Sequence, residues 1–295
     1  MRVLSREVRV GTAAMVCGCA LLLSGCGNLI SGDPDSDGRK NWAVVVGVAD
    51  YQSSTLDLTW ADEDALDFYD ALRHGKNWEP DKITLLTNES ATKDAIKAAI
   101  GGLAKRVGPD DQVVFYFSGR GSYAPDQPPF DEGDGLDEYL VPHDALPGSP
   151  ARDLSDDELE ALFSALPTNN VLIVLDTGFS CSAPTGKERC LVRAGVRGRR
   201  PRGIDGMAHD LARPGFIYIS SAQPGEAGSE SSQLRNGVFT YYLIEGLLGA
   251  ANPGKGQVAA QQAFQYAMPR TSSYAAGQVP LLVDNRGKNF RVTAY

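Results

Sequence analysis

Six short apolar runs, Trp42–Val48, Lys82–Thr87, Gln112–Ser118, Val171–Asp176, Phe216–Ser221 and Val279–Val283, constrain this chain more than any other feature. Each is four to eight residues of largely β-branched or aromatic side chains. Continuous runs of this length suit strands of a parallel sheet buried on both faces. Between them lie helical patterns. Ala61, Ala65, Leu66, Phe68, Tyr69 and Leu72 recur at helical spacing, as do Ala95, Ile96, Ala99, Ile100 and Leu103. Ser155-Asp156-Asp157-Glu158 opens a further helix with a capping-box pattern, and Gly237–Leu248 and Val258–Met268 supply two more. Strands alternating with helices predict an open, doubly wound α/β sheet without internal repeats.

The ends narrow what remains. Arg2, Arg6 and Arg9 precede a small, apolar run from Thr12 to Leu23, followed by Leu23-Ser24-Gly25-Cys26. A basic start, a short apolar core and a small-residue cleavage site make residues 1–25 a signal peptide. The run is too short to span a bilayer. Leu-Ser-Gly-Cys resembles a bacterial lipobox, which implies lipid on Cys26 and an extracytoplasmic, membrane-anchored location in the cell envelope. Residues 26–40 are rich in Gly, Asp, Ser and Pro and read as a flexible tether. Residues 41–295 are long enough for one large α/β domain with a substantial core. A net charge of −9 argues against a general nucleic-acid binder.

Of five cysteines, Cys181 and Cys190 remain once Cys17 and Cys19 leave with the signal and Cys26 takes lipid. In a compartment where disulfides persist they are either a bridge or two inert thiols, and a bridge is the expectation. Two loops carry charge runs. Asp126–Glu138 holds Asp126, Asp131, Glu132, Asp134, Asp137 and Glu138, and Lys187–Arg202 holds seven basic residues against Glu188. Such runs are usually solvated surface.

Two of the apolar runs break into Gly/Ser turns: Val113 to Phe117 into Ser118-Gly119-Arg120-Gly121, and Val171 to Leu175 into Asp176-Thr177-Gly178-Phe179-Ser180-Cys181. Such turns hold a side chain at a strand's carboxyl end. With Asp137-Glu138-Tyr139-Leu140-Val141-Pro142-His143-Asp144, Ile219-Ser220-Ser221-Ala222 and Gly237-Val238-Phe239-Thr240, they resemble the segments of the caspase and metacaspase family. The resemblance implies a caspase-like three-layer α/β/α sandwich with a central six-stranded, mostly parallel sheet. It also places a basic interloop at about residues 183–214, where family members are cut.

Family chemistry needs a cysteine thiolate and a histidine that takes and returns a proton, with backbone N–H groups near the cysteine stabilising the oxyanion. Here the histidine position is Arg120, which stays protonated, and the cysteine position is Gly178, which has no side chain. The expectation is therefore a degenerate dyad in a pseudo-peptidase that binds a basic peptide or partner protein. The rival is an active cysteine endopeptidase using Cys181 with His143 or His209. That rival requires a displaced nucleophile where catalytic placement tolerates about 1 Å.

In the metacaspase branch the pocket for the residue before the cut is acidic and takes Arg or Lys. Its positions map onto Asp64, Ser118 and Asp176. Buried carboxylates need a cationic partner, and two are open here: an Arg or Lys of a ligand, or Arg120 pairing with Asp176 from inside. The alternative is that Asp64 caps its helix and Asp176 holds its turn. For the basic loop, cleavage by another protease and attraction to anionic lipid headgroups are both open. No cofactor is implied. Calcium at Asp131 and Asp134 is a weak candidate, because Asp131-Glu132-Gly133-Asp134-Gly135 lacks EF-hand spacing.

Overall fold

The structure, a computed structural model, describes residues 38–127, 135–178, 189–192, 206–223 and 226–295. The chain divides into two units, Met1–Arg39 and Lys40–Tyr295, and all the described helices and strands belong to the second. In chain order these are β1 (Asn41–Gly47), α1 (Ala61–His74), β2 (Ile83–Thr87), α2 (Lys93–Leu103), β3 (Gln112–Ser118), β4 (Gly121–Pro125) and β5 (Leu136–Leu140). There follow β6 (Leu154–Ser155), α3 (Asp156–Ser164), β7 (Val171–Asp176), β8 (Cys190–Val192), α4 (Gly206–Leu211) and β9 (Ile217–Ser220). The last are β10 (Glu230–Ser231), β11 (Asn236–Gly237), α5 (Val238–Glu245), β12 (Gln257–Ala259), α6 (Ala260–Tyr274), β13 (Leu281–Asp284) and β14 (Arg291–Ala294).

The central sheet has six strands in the order β13-β9-β7-β3-β1-β2. Its strands alternate between two apolar layers, which is why both phases of each run are hydrophobic. Val44, Val46, Phe115, Phe117, Ile173 and Leu175 pack with α2, α3 and α4 on one face. Val45, Val114, Tyr116, Leu172 and Val174 pack with α1, α5 and α6 on the other. The result is a three-layer α/β/α sandwich with a mostly parallel sheet.

Three features depart from the sequence reading. β13 runs antiparallel to β9, at the sheet edge, so its apolar run is a half-buried edge strand and not another parallel one. A second, four-stranded sheet of order β6-β5-β4-β8 lies beyond the end of β3. Residues 206–211, assigned above to the interloop, form α4, whose Met207, Ala208 and Leu211 are buried in the core.

The connectivity makes one crevice. The chain leaves β1 towards β2 on one side, while β3, β7 and β9 extend the sheet on the other. At such a switch point the connections diverge and leave a cleft outside the strands' carboxyl ends. In the sheet register Gly47 pairs with Ser118 and Ser118 with Asp176, so the three strand ends lie in one row. Gly47 also lets α1 approach, since a Cβ there would stand 2.5 Å from the Ala61 carbonyl oxygen and 2.5 Å from Ala65 Cβ. That approach brings Asp64, one turn into α1, over the row.

Candidate functional site

Asp64, Ser118 and Asp176 meet at the carboxyl end of the sheet, all fully buried, and what they surround is the guanidinium of Arg189. Arg189 Nη2 lies 2.5 Å from Asp64 Oδ2 and 3.2 Å from Glu230 Oε1. Nη1 lies 3.3 Å from Asp176 Oδ1, donates to the Asp176 carbonyl at 3.0 Å, and also donates to Ser118 Oγ. Ser118 Oγ in turn donates to Asp64 Oδ2 at 2.8 Å. The charged end of Arg189 thus meets three carboxylates and a hydroxyl out of contact with solvent.

The carboxylates are held independently of their cation. Asp64 Oδ1 accepts the backbone N–H of Gly237 at 2.7 Å, and Asp176 Oδ2 accepts the N–H and hydroxyl of Thr240 at 3.2 and 2.6 Å. All three donors sit at the amino end of α5, where the helix dipole favours negative charge. Glu230 Oε2 and Oε1 accept the N–H groups of Thr59 and Trp60, at 2.9 and 2.8 Å, at the entry to α1. Gly237 is required by space. A Cβ there would lie 2.4 Å from Asp176 Oδ2 and 2.9 Å from both Asp64 Oδ2 and Arg189 Nη2.

Three acids around one guanidinium leave an excess of negative charge. Burial raises the Asp64 carboxyl to about 6 from its ordinary 3.8; Arg189 pulls it down and Asp176 pushes it up. Burial alone would favour a neutral Arg189, but Asp176, Asp64 and Glu230 outweigh it and hold the guanidinium charged.

The main chain of Arg189 is as firmly placed as its side chain. Its carbonyl oxygen accepts the N–H of Gly121 at 2.9 Å, the N–H of Gly178 at 3.1 Å and the Thr177 hydroxyl at 3.3 Å. Its own N–H donates to the Gly228 carbonyl at 3.3 Å. Two backbone N–H groups converging on one carbonyl oxygen are what stabilises an oxyanion in acyl transfer. Here they belong to position 178 and to the residue after position 120.

Positions 120 and 178 bring neither an imidazole nor a thiol to these N–H groups. Arg120 is 3% exposed and turns away to donate from Nε to the Leu56 carbonyl at 2.6 Å and from Nη2 to that of Asp57 at 3.1 Å. Burial holds its pKa below the ordinary arginine value. The Tyr51 hydroxyl accepts the Arg120 N–H at 2.8 Å and fixes the turn. Gly178 has no room for a side chain: a Cβ would stand 2.8 Å from Ala227 Cα and 3.1 Å from the Gly228 nitrogen.

The internal cation of the acidic pocket is therefore Arg189, and the pairing of Arg120 with Asp176 considered above gives way to it. Reading the basic loop as solvated also fails at Arg189, whose relative exposure is 0%. In the acidic loop, Asp137 and Glu138 are buried on β5 and do not lie on a solvated run. Burial raises the Asp137 carboxyl to about 6, against the Tyr139 hydroxyl that hydrogen-bonds it. Asp131 and Asp134 lie outside the described residues, as do Cys26 and Cys181; of the expected disulfide only Cys190, on β8, is described. Among the described residues no group of three or more His, Cys, Asp or Glu is placed to hold a metal ion, and no helix is long and apolar enough to cross a membrane.

The two fallback histidines have polar partners of their own. His143 engages the Asp50 carbonyl through Nδ1 at 2.8 Å, and His209, on α4, faces Asp210 at 3.0 Å. Sequence reasoning missed Arg189 and Glu230. The signal that a cation was needed was present in Asp64 and Asp176; nothing in the sequence singled out which cation.

The caspase domain family profile matches residues 40–290, and the chain belongs to that family. Among solved structures, the fold is similar to that of protein GSU0716 from Geobacter sulfurreducens, at 21% identity and a TM-score of 0.60, covering 83% of this chain and 92% of that one. Among curated proteins no significant match is found. The fold and the family are thereby fixed, and the chemistry rests on the residues above.

Proposed function

We propose that this caspase-domain chain is a catalytically inactive pseudo-peptidase. It is held at the bacterial envelope through lipid on Cys26 and acts by binding a basic peptide or partner protein rather than by cutting one. The observation that carries this reading is the seating of Arg189. Its side chain fills the acidic pocket, and its carbonyl oxygen lies between the N–H groups of Gly121 and Gly178. The residue thus has the pose of a substrate's basic residue before the cut, supplied by the chain itself.

The peptide bond after Arg189 is presented without a nucleophile or a base. Glycine at 178 cannot attack a carbonyl, and a protonated guanidinium at 120 cannot accept a proton. A basic ligand enters this pocket only in exchange for the Arg189 side chain, so binding is coupled to its withdrawal.

The test uses protein lacking the first 26 residues, incubated with Arg-, Lys- and Asp-containing peptides, with and without calcium, beside a Cys181→Ser control. No turnover is expected under any of these conditions. Turnover abolished by Cys181→Ser would replace this reading with an active cysteine endopeptidase that uses Cys181 with His143 or His209.

A further inference from the structure

The charges of this domain are sorted along the strand axis. The segments at the amino ends of the parallel strands, residues 40, 75–82, 104–111, 165–170, 212–216, 246–259 and 285–290, carry nine basic residues against four acidic ones. The segments at the carboxyl ends, 48–60, 88–92, 119–155, 177–205, 221–237 and 275–280, carry ten basic against fifteen acidic. The acids at the amino end are already engaged. Asp111 is buried and accepts from the backbone N–H groups of Lys40 and Gly108 and the indole of Trp42, while Glu79 and Asp81 both pair with Lys82. Lys76, Lys105, Lys255 and Lys288 are exposed, come from four different segments, and have no carboxylate at ion-pair distance among the described residues. Arg106, also exposed, lies 4.6 Å over the ring of Trp42, two residues into the domain. Uncompensated cations gathered at one end create a positive potential there, although the chain as a whole carries −9.

We infer that the amino-end face of the central sheet is a membrane-facing surface that takes the headgroups of anionic phospholipids. The point of chain entry favours a lipid surface over other polyanions. The segment from the proposed lipid on Cys26 joins the domain at Lys40, on this face, and the 14 residues between them span no more than about 50 Å. Each Lys or Arg within a Debye length of an anionic leaflet strengthens binding about fivefold. The acidic excess at the other end is repelled by the same surface. Docked in this way, the domain turns the carboxyl ends of its strands, and with them Asp64, Asp176 and Arg189, towards the aqueous side. The inference rests on the anchored location only for its setting, since the surface itself is scored on protein without lipid.

The test uses the chain lacking residues 1–26, which keeps the whole of the second unit with every described helix and strand. Sedimentation is followed with vesicles of phosphatidylglycerol mixed into phosphatidylcholine, and with phosphatidylcholine alone. Binding to the first only is expected, and it should be lost as salt rises from about 0.1 to about 1 M and the Debye length falls from about 10 to about 3 Å. Lys105→Gln/Lys255→Gln/Lys288→Gln should weaken binding about tenfold or more, and Lys105→Arg/Lys255→Arg/Lys288→Arg should bind like wild type. Arg152→Gln/Arg235→Gln/Arg270→Gln makes the same change in net charge at exposed positions of the other half, and should weaken binding less than about twofold. Wild type that ignores phosphatidylglycerol, or a loss as large in the arginine triple, would overturn the inference. So would binding that survives the lysine changes but falls with Arg197→Gln/Arg199→Gln/Arg200→Gln, which would assign the attraction to the basic loop. A full chain recovered from bacterial membranes without lipid on Cys26 would sink the anchor yet leave this result standing. Vesicle binding indifferent to the three lysines would do the reverse.

Discussion

Arg189 Nη2 and Asp64 Oδ2 stand 2.5 Å apart with neither side chain exposed to solvent. An ion pair removed from water is worth little against an apolar pair of the same shape, but losing one partner strands the other. Arg189→Met should therefore lower the unfolding free energy by about 3–5 kcal/mol, read from urea denaturation. Arg189→Lys should recover only part of that. A loss under about 1 kcal/mol would mean that the guanidinium is not seated as described.

Refitting the missing dyad should fail. Arg120→His removes the bonds to the Leu56 and Asp57 carbonyls, and Gly178→Cys drives a Cβ against Ala227 and Gly228. Overpacking of this kind costs about 1–3 kcal/mol. The double variant is expected to unfold at lower urea than wild type and to show no turnover of arginine peptides while Arg189 holds the pocket. Efficient turnover by that variant would show that the frame is still open and competent.

Gly237→Ala should be among the most damaging single-methyl changes in the domain. The added carbon meets the oxygens of Asp176 and Asp64 and Nη2 of Arg189 at once. An unfolding free energy reduced by ~2 kcal/mol or more is expected. A neutral outcome in calorimetry would contradict the packing at the start of α5.

Stability should rise as the solution is acidified from pH 7 towards 5. Asp64 and Asp137 are each raised, chiefly by burial, from 3.8 to about 6. A carboxyl whose pKa is higher in the folded state takes up a proton on folding. Its contribution is complete below the unfolded pKa near 4 and is lost as pH rises through about 6. Asp111 and Glu158 work the other way. Hydrogen bonds from Gly108 and Lys40, and from Lys93 and Lys97, outweigh burial and hold them below their ordinary values, so their support is lost only below about pH 4. Urea midpoints at pH 5 above those at pH 7 are expected, with Asp137→Asn flattening the slope. Midpoints that fall steadily with acid would refute the assignment.

The central strands were legible because both faces of each are buried, so their apolar runs are continuous. Direction was not legible: Leu281 to Val283 read like their parallel neighbours, yet β13 runs antiparallel at the edge. The short helix α4 was hidden because its six residues include Gly206, His209 and Asp210, too few and too polar to show a period. Asp64, Ser118 and Asp176 were found through the family's motifs. Arg189 was not, since among Lys187, Glu188 and Arg193 it looks like any member of a solvated basic run. Its burial is decided by long-range partners, Asp64 lying 125 positions away. Glu230 gave no local signal either, because its role depends on the amino end of α1 lying against β10.

The most direct test of an arginine seated as substrate but never cut is peptide mapping of the Arg189–Cys190 bond by mass spectrometry. The folded chain is incubated alone and with trypsin, beside a urea-unfolded sample. The bond is expected to stay intact in the folded chain under both conditions and to be cut by trypsin only after unfolding. A fragment ending at Arg189 from the chain alone, or trypsin cleavage there as fast in the folded as in the unfolded protein, would contradict the account.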